Sequence, residues 1–236
     1  MALKLFNNIR ESLLNLAFPH VCEGCGNEVI NKEHFLCLQC FSNLPDTKFE
    51  SFPGNPLEKI FHGRLDIVSG SATYYFRKNS MMQQLIHQFK YRNHIRLGNY
   101  LGRLMGRNLE SAGRFSNVDA LVPLPLFRAR EKQRGFNQAT ILCNGISEVF
   151  RKPILKDVVI RNEPTESQTK KTRIGRWQNM KDRFEVTDQE SLKGKHILLV
   201  DDVLTTGATM EACGAVLSGV KNVQLSMASL CFSIEG

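Results

Sequence analysis

The chain has 236 residues and a formal net charge of +8 at neutral pH, and 42% of its residues are hydrophobic. This length suits one main domain with a small appended module, and the composition is that of a globular protein rather than a disordered one. No run of about eighteen apolar residues occurs, which excludes a membrane-spanning helix. The positive charge favours anionic partners such as phosphates or nucleic acid.

The first predicted element is an amphipathic helix over residues 1–18 that ends before Pro19. Its apolar residues recur at helical spacing, at Leu5, Ile9, Leu13 and Leu16. Polar residues at 7–11 interrupt any signal-peptide core. We expect this helix to pack on the module that follows it. The alternative is a transient contact with a membrane surface, without stable insertion.

Four cysteines come next, as two Cys-x2-Cys pairs separated by eleven residues: Cys22, Cys25, Cys37 and Cys40. Four thiolates match the closed tetrahedral shell of a structural zinc site. The alternatives are an iron–sulfur cluster and a redox-active pair. The sequence shows no secretion signal, so the cysteines favour a reducing, cytoplasmic location. A loop rich in proline and glycine at 45–57 leads us to expect a module at 1–51 and a main domain at 52–236.

The main domain alternates predicted strands and helices. Strands are predicted at 66–76, 119–125, 157–161, 195–201 and 222–232. Helices are predicted at 80–91, 95–111, 137–150 and 207–218, and a further one near 173–182 within a polar region at 162–194. Strands separated by helices predict an α/β fold with a mainly parallel sheet flanked by helices. In such sheets, ligands bind beyond the carboxyl ends of the strands.

The most informative segment is HILLVDDVLTTGAT at 196–209, in which Asp201 and Asp202 follow an apolar run. A turn of hydroxyl and small residues precedes the next predicted helix: Thr205, Thr206, Gly207, Ala208 and Thr209. The N–H groups at a helix start bind phosphate, whereas the carboxylates suit ribose hydroxyls or Mg²⁺. The segment therefore predicts a ligand that carries a phosphate beside a sugar diol. The alternative is an ordinary strand–turn–helix with two surface acids.

This segment resembles the 5-phosphoribosyl 1-pyrophosphate (PRPP) binding motif of the type I phosphoribosyltransferases. Further matches are LIHQFKY at 85–91, VPLPLFRAREKQRGFNQ at 122–138, and the spacing of Thr165, Gln168, Arg176 and Asn179. With the cysteine module, they make nearly the whole chain similar to the ComF family, which is linked to DNA uptake in naturally competent bacteria. The resemblance implies a type I phosphoribosyltransferase fold that binds PRPP with Mg²⁺.

The resemblance also implies roles for individual residues. Asp201 and Asp202 would hold the ribose hydroxyls, and residues 205–209 would hold the 5-phosphate. Arg130 and Arg134 would neutralise the pyrophosphate as its charge grows. The acceptor side and a closing loop would involve Lys90, Tyr91, Thr165, Gln168 and Arg176. Lys170 and Lys171 depart from the family pattern in that loop, which puts its docking mode in doubt.

Ordinary structural roles stand beside these assignments. The arginines fit a solvated basic turn, the loop residues fit a plain surface loop, and Lys90 with Tyr91 fit a snorkelling lysine beside a half-buried tyrosine. The sequence supports a phosphoribosyltransferase with an unidentified acceptor. The second hypothesis is a non-catalytic competence factor that binds single-stranded DNA and other competence proteins, and a transcriptional regulator on the same fold is a third.

Overall fold

The computed structural model describes residues 21–27, 35–91, 94–162 and 183–234. The predicted helices at 1–18 and 173–182 lie outside these ranges. The chain forms two compact units, residues 1–44 and residues 45–236. Within the described part of the smaller unit, one short helix, α1 (Leu38–Ser42), begins directly after Cys37. Among the residues that the structure describes, no helix is long and apolar enough to cross a bilayer.

The described part of the larger unit contains six strands: β1 (Gly70–Phe76), β2 (Ala120–Pro123), β3 (Val159–Arg161), β4 (Phe184–Val186), β5 (His196–Leu204) and β6 (Gln224–Ser233). Four of them form one parallel sheet in the order β1-β6-β5-β2. β3 and β4 form a separate antiparallel pair. The predicted parallel α/β fold is therefore confirmed.

The larger unit begins at Pro45, a few residues before the boundary predicted near residue 51. The reason is that Thr47, Phe49 and Glu50 are buried. The N–H of Thr47 donates to the carbonyl of Thr73 in β1, which fixes this segment to the sheet.

The helices of the larger unit are α2 (Pro56–Phe61), α3 (Met81–Tyr91), α4 (Ile95–Ser111), α5 (Arg128–Arg134), α6 (Gln138–Phe150) and α7 (Ala208–Leu217). The sequence predicted all of these except α2 and α5. α2 begins inside the predicted linker, where Asn55 caps it by accepting from the N–H groups of Leu57 and Glu58. α5 buries none of its residues, so it lacks the apolar stripe that marks a packed helix.

The strand β5 lies inside the sheet and packs on both faces. Ile197 and Leu199 belong to the same apolar cluster as Met210 and Cys213 of α7. Successive strand residues point to opposite faces, so Leu198 and Val200, also fully buried, face the other side. The sheet thus holds β5 in one register.

The predicted strand end at Asp201 is wrong, because β5 runs on to Leu204. Asp201 pairs with Ser229, and Leu204 pairs with Phe232, in β6. Asp201 and Asp202 are therefore consecutive residues of one strand, and their side chains leave it on opposite faces.

Candidate functional site

The acid pair is held by contacts from two directions. The Nζ of Lys90, at the end of α3, lies 2.8 Å from Oδ2 of Asp202, and these side chains are only 17% and 13% exposed. The N–H of Asp202 donates to Oδ1 of Asp201 at 2.8 Å. Asp202 therefore forms an ion pair with Lys90, whereas the carboxyl group of Asp201 is oriented by a backbone hydrogen bond.

Asp201 differs electrostatically from its neighbour. Burial, and then the nearby charge of Asp202, raises the pKa of Asp201 to about 7, although Lys90 and Arg161 act in the opposite direction. At neutral pH this carboxyl is divided between its neutral and ionised forms. It can therefore donate or accept a hydrogen bond near a sugar hydroxyl.

The turn after β5 is shaped by Gly207. This residue has φ +75° and caps the N-terminus of α7. A Cβ there would lie 2.7 Å from Cγ2 of Ile60, so both the backbone conformation and the packing require glycine. Thr205 and Thr206 are exposed, and Oγ1 of Thr206 accepts from the N–H of Ala208 at 3.4 Å. The turn combines exposed hydroxyls with the positive end of a helix, which suits a phosphate group.

A basic pocket of about 740 Å³ adjoins the acid pair. Its lining includes Lys90, Tyr91, Arg130, Lys132, Arg134 and Gly135. Four residues that the sequence singled out, on α3 and α5, therefore share one cavity. Because Lys90 also contacts Asp202, it connects this basic pocket with the aspartates.

The two predicted arginines of the basic pocket have different surroundings. The guanidinium of Arg134 lies 5.6 Å from the ring centre of Tyr91, and its Nη1 donates to Oε1 of Gln138 at 2.9 Å. Arg130 is exposed. Asn137 caps α6 by accepting from the N–H of Ala139 at 2.9 Å. Arg134 is thus fixed by neighbours, whereas Arg130 is accessible to a ligand.

Sequence reasoning missed Arg161, the last residue of β3. Its guanidinium carbon lies 4.0 Å from the ring centre of Phe127 and 5.2 Å from that of Phe184. Its positive charge acts to lower the pKa of Asp201, against burial and the charge of Asp202. A lone arginine has no distinctive pattern, but its position at the carboxyl end of a predicted strand was a usable signal.

The predicted loop residues Thr165, Gln168 and Arg176 lie outside the described residues. The strands on either side of them are described, and Arg161 pairs with Phe184. The N–H of Asn162 donates to the carbonyl of Arg183 at 2.7 Å. Both ends of the segment 163–182 are therefore held together next to Arg161.

The four predicted ligand cysteines come together in the smaller unit. Their Sγ atoms all lie within 4.8 Å of one another, and those of Cys25 and Cys37 are 3.8 Å apart. A tetrahedral zinc ion with Zn–S bonds of about 2.3 Å requires a sulfur–sulfur separation of about 3.8 Å. The N–H of Cys37 donates to Sγ of Cys22 at 3.2 Å. Such bonds lower the pKa of Cys22 to about 7 although burial opposes them, so the donor set fits a metal ion that binds thiolates.

The remaining cysteines, Cys143, Cys213 and Cys231, are buried in the larger unit. Burial raises the pKa of each thiol above its ordinary value. They are inert small core residues rather than reactive thiols.

Comparison with known proteins agrees with this geometry. The family model of the phosphoribosyl transferase domain matches residues 135–235, which include β5, the turn after it and α7. A hypoxanthine phosphoribosyltransferase from Trypanosoma cruzi has a TM-score of 0.39 and 15% identity, over 59% of this chain and 69% of that one. The fold is of the phosphoribosyltransferase type.

Two relatives extend the match to nearly the full chain. Competence protein F of Haemophilus influenzae is 28% identical over 218 residues, covering 90% of this chain and 91% of the relative. DNA utilization protein YhgH of Shigella flexneri is 30% identical, covering 89% of this chain and 91% of the relative. The chain belongs to the ComF family of competence and DNA utilization proteins.

Proposed function

We propose that the chain binds PRPP and transfers its phosphoribosyl group to an acceptor. The observation that supports the proposal is that three features of the structure adjoin one another. The acid pair of β5 leads into the Gly207 turn at the start of α7, and Lys90 joins the pair to the basic pocket. The turn, the acid pair and the basic pocket follow one another in the same order as the 5-phosphate, the ribose diol and the pyrophosphate of one ligand.

Each group of residues has a role in this proposal. Residues 205–209 bind the 5-phosphate through N–H and hydroxyl donors. Asp201 and Asp202 bind the ribose hydroxyls, and Arg130 with Arg134 neutralise the pyrophosphate that leaves. Mg²⁺ would be held by pyrophosphate and ribose oxygens and supplies charge neutralisation when bound.

The closing-loop role of Thr165, Gln168 and Arg176, and the acceptor-side role of Lys90 and Tyr91, belong to the same proposal. The paired strands that flank 163–182 support the first, and the position of both residues in the basic pocket supports the second. The acceptor is not identified by these residues. By analogy with the relatives' names, we propose a part in DNA uptake with other competence proteins.

For the smaller unit we propose a structural zinc ion held by Cys22, Cys25, Cys37 and Cys40. Four sulfurs fill a tetrahedral shell and leave no position for a substrate. The ion would stabilise a unit too small to depend on its apolar core. Free thiol sulfurs in this arrangement also support a reducing, cytoplasmic location.

Calorimetric titration with PRPP and Mg²⁺ tests the main proposal. We expect the wild type to bind and the D201N/D202N double variant to lose binding while its unfolding transition remains cooperative. D188N, which changes an exposed aspartate, is the control and should bind normally. Pyrophosphate release with bases, nucleosides or DNA then identifies the acceptor. Unchanged PRPP affinity in the double variant would contradict the proposal.

A second candidate function is binding of single-stranded DNA without transfer. It is favoured by the composition of the basic pocket, in which Tyr91 is 64% exposed beside Arg134. Exposed aromatic rings stack on bases, and cationic side chains track the phosphate backbone. DNA affinity that falls steeply with salt, together with no pyrophosphate release from any acceptor, would favour this function.

A further inference from the structure

Two arginines lie near the ring of Phe127, and a third follows it on α5. The guanidinium carbon of Arg161 lies 4.0 Å from its ring centre and that of Arg183 lies 6.0 Å from it. Phe127 immediately precedes α5, which carries Arg130. The positive charges of Arg183 and Arg130, after burial, lower the pKa of Arg161. This effect shows that all three charges are close enough to interact.

Within the described ranges, no acid forms an ion pair with the like charges of Arg130, Arg161 and Arg183. Asp201 is near enough to favour the charged form of Arg161, but it forms no ion pair with it. Crowded positive charges repel one another unless an anion lies among them, so this arrangement is incomplete without a ligand.

Arg161 itself is fixed and only partly bonded. Its guanidinium lies between the rings of Phe127 and Phe184. Its Nε is buried and has no hydrogen-bond partner within the described part of the chain. A buried polar atom without a partner costs free energy and indicates a missing group. The aromatic faces pre-orient the guanidinium, whose planar set of donors suits an oxyanion.

We propose that Arg161, supported by Phe127 and joined by Arg130 and Arg183, binds a phosphate oxyanion beside Asp201. The proposal rests on the proposed function, because it adds Arg161 and Arg183 to the phosphate-binding residues named there. Planar guanidiniums match phosphate oxygens with paired hydrogen bonds. The oxyanion comes either from the pyrophosphate of PRPP or from a phosphate on the acceptor.

Binding of three probes tests the assignment: Mg-pyrophosphate, a nucleoside monophosphate and ribose 5-phosphate. We expect R161Q to bind one of the first two about tenfold to hundredfold more weakly, since a charge-assisted bond is lost. Ribose 5-phosphate affinity should stay within about twofold, because residues 205–209 hold that group. Selective loss of pyrophosphate assigns the site to PRPP, and selective loss of the monophosphate assigns it to the acceptor.

Further variants separate binding from folding. R161K retains the charge without the guanidinium fork and should bind the affected probe with intermediate affinity. R103Q changes an arginine that pairs with Glu148 on the surface and should bind all three probes normally. If R161Q is unfolded, R130Q and R183Q must show the selective loss instead.

Two results overturn the inference. The first is that wild type and R161Q have equal affinities for every probe although the wild type binds PRPP. Loss of ribose 5-phosphate binding to the same extent as the other probes, in folded R161Q, would show a structural role only. If the wild type binds neither PRPP nor ribose 5-phosphate, the proposed function fails instead.

Discussion

The ammonium of Lys90 and the carboxylate of Asp202 form a largely buried ion pair, 2.8 Å from Nζ to Oδ2. This pair joins the last turn of α3 to β5, elements far apart in the sequence. A lysine that the sequence assigned to the acceptor side therefore contacts the acid that we propose binds the sugar. Any ligand in the basic pocket competes with Asp202 for Lys90 or extends the network.

Replacing Lys90 with methionine should leave the carboxylate of Asp202 without its cation. We expect the K90M variant to lose about 1–3 kcal/mol of unfolding free energy, less than for a fully buried pair because both side chains retain some exposure. Urea unfolding measures this loss, and PRPP titration should show about tenfold weaker binding. K90R should recover part of both effects. Wild-type behaviour of K90M in both measurements would show that the ion pair contributes nothing.

The raised pKa of Asp201 predicts a pH-dependent stability. A carboxyl whose pKa rises from an unfolded value near 3.8 to about 7 stabilises the fold below pH 3.8, and that contribution is lost as the pH rises through 7. D201N removes this loss, so its unfolding free energy relative to wild type should increase by up to about 4 kcal/mol between pH 4 and pH 8. Urea unfolding across that range provides the measurement. A difference that does not change with pH would mean that the folded state does not perturb this carboxyl.

The cysteine cluster predicts bound zinc. C37S/C40S removes two of four ligands, so we expect the variant to lose the ion and the smaller unit to become sensitive to proteolysis. Elemental analysis of purified protein should give about one zinc per wild-type chain and none per variant chain. C143A, which changes a buried cysteine of the larger unit, should retain zinc. A wild-type protein purified without zinc would contradict this prediction.

Replacing Gly207 even with alanine should destabilise the protein. G207A requires an L-residue at φ +75° and places a Cβ against Ile60. We expect a loss of roughly 2–4 kcal/mol of unfolding free energy and weaker ribose 5-phosphate binding. Gly194 has φ +69° but no atom within 4 Å of its Cβ position, so G194A should cost only about 1–2 kcal/mol and should not affect binding. Similar effects of both variants would show that the contact with Ile60 is unimportant.

The sequence predicted the parts of the fold that have strong local patterns. The apolar run Ile197–Val200 indicated β5, and the Leu spacing in 97–109 indicated α4, with the observed bounds Ile95–Ser111. α2 was missed because Pro56 and Gly54 resemble a linker, although proline in a first turn with an asparagine cap is a helix start. β4, with three residues, is too short for a periodic signal.

The sequence predicted the site residues that lie within one segment. It did not predict contacts between residues of distant segments. Asp201, Asp202 and residues 205–209 lie in one stretch of sequence, so the pattern alone indicated them. The approach of Lys90 to Asp202, and of Arg161 to Phe127, depends on the packing of separate elements. The spacing of residues along the sequence does not indicate such contacts. The same limit explains why the continuation of β5 past Asp201 was missed, because it depends on pairing with β6.

The contact between α4 and α6 has a consequence for how this family diverges. A Cβ at Gly145 would lie 2.1 Å from the carbonyl oxygen of Asn99, and one at Gly102 would lie 2.4 Å from that of Leu142. The two helix backbones therefore touch, and neither position accepts even a methyl group without separating them. Substitutions at Gly102 and Gly145 should therefore be rare, although neither residue has a chemical role. A relative that carries a larger residue at either position must have a different spacing between the two helices.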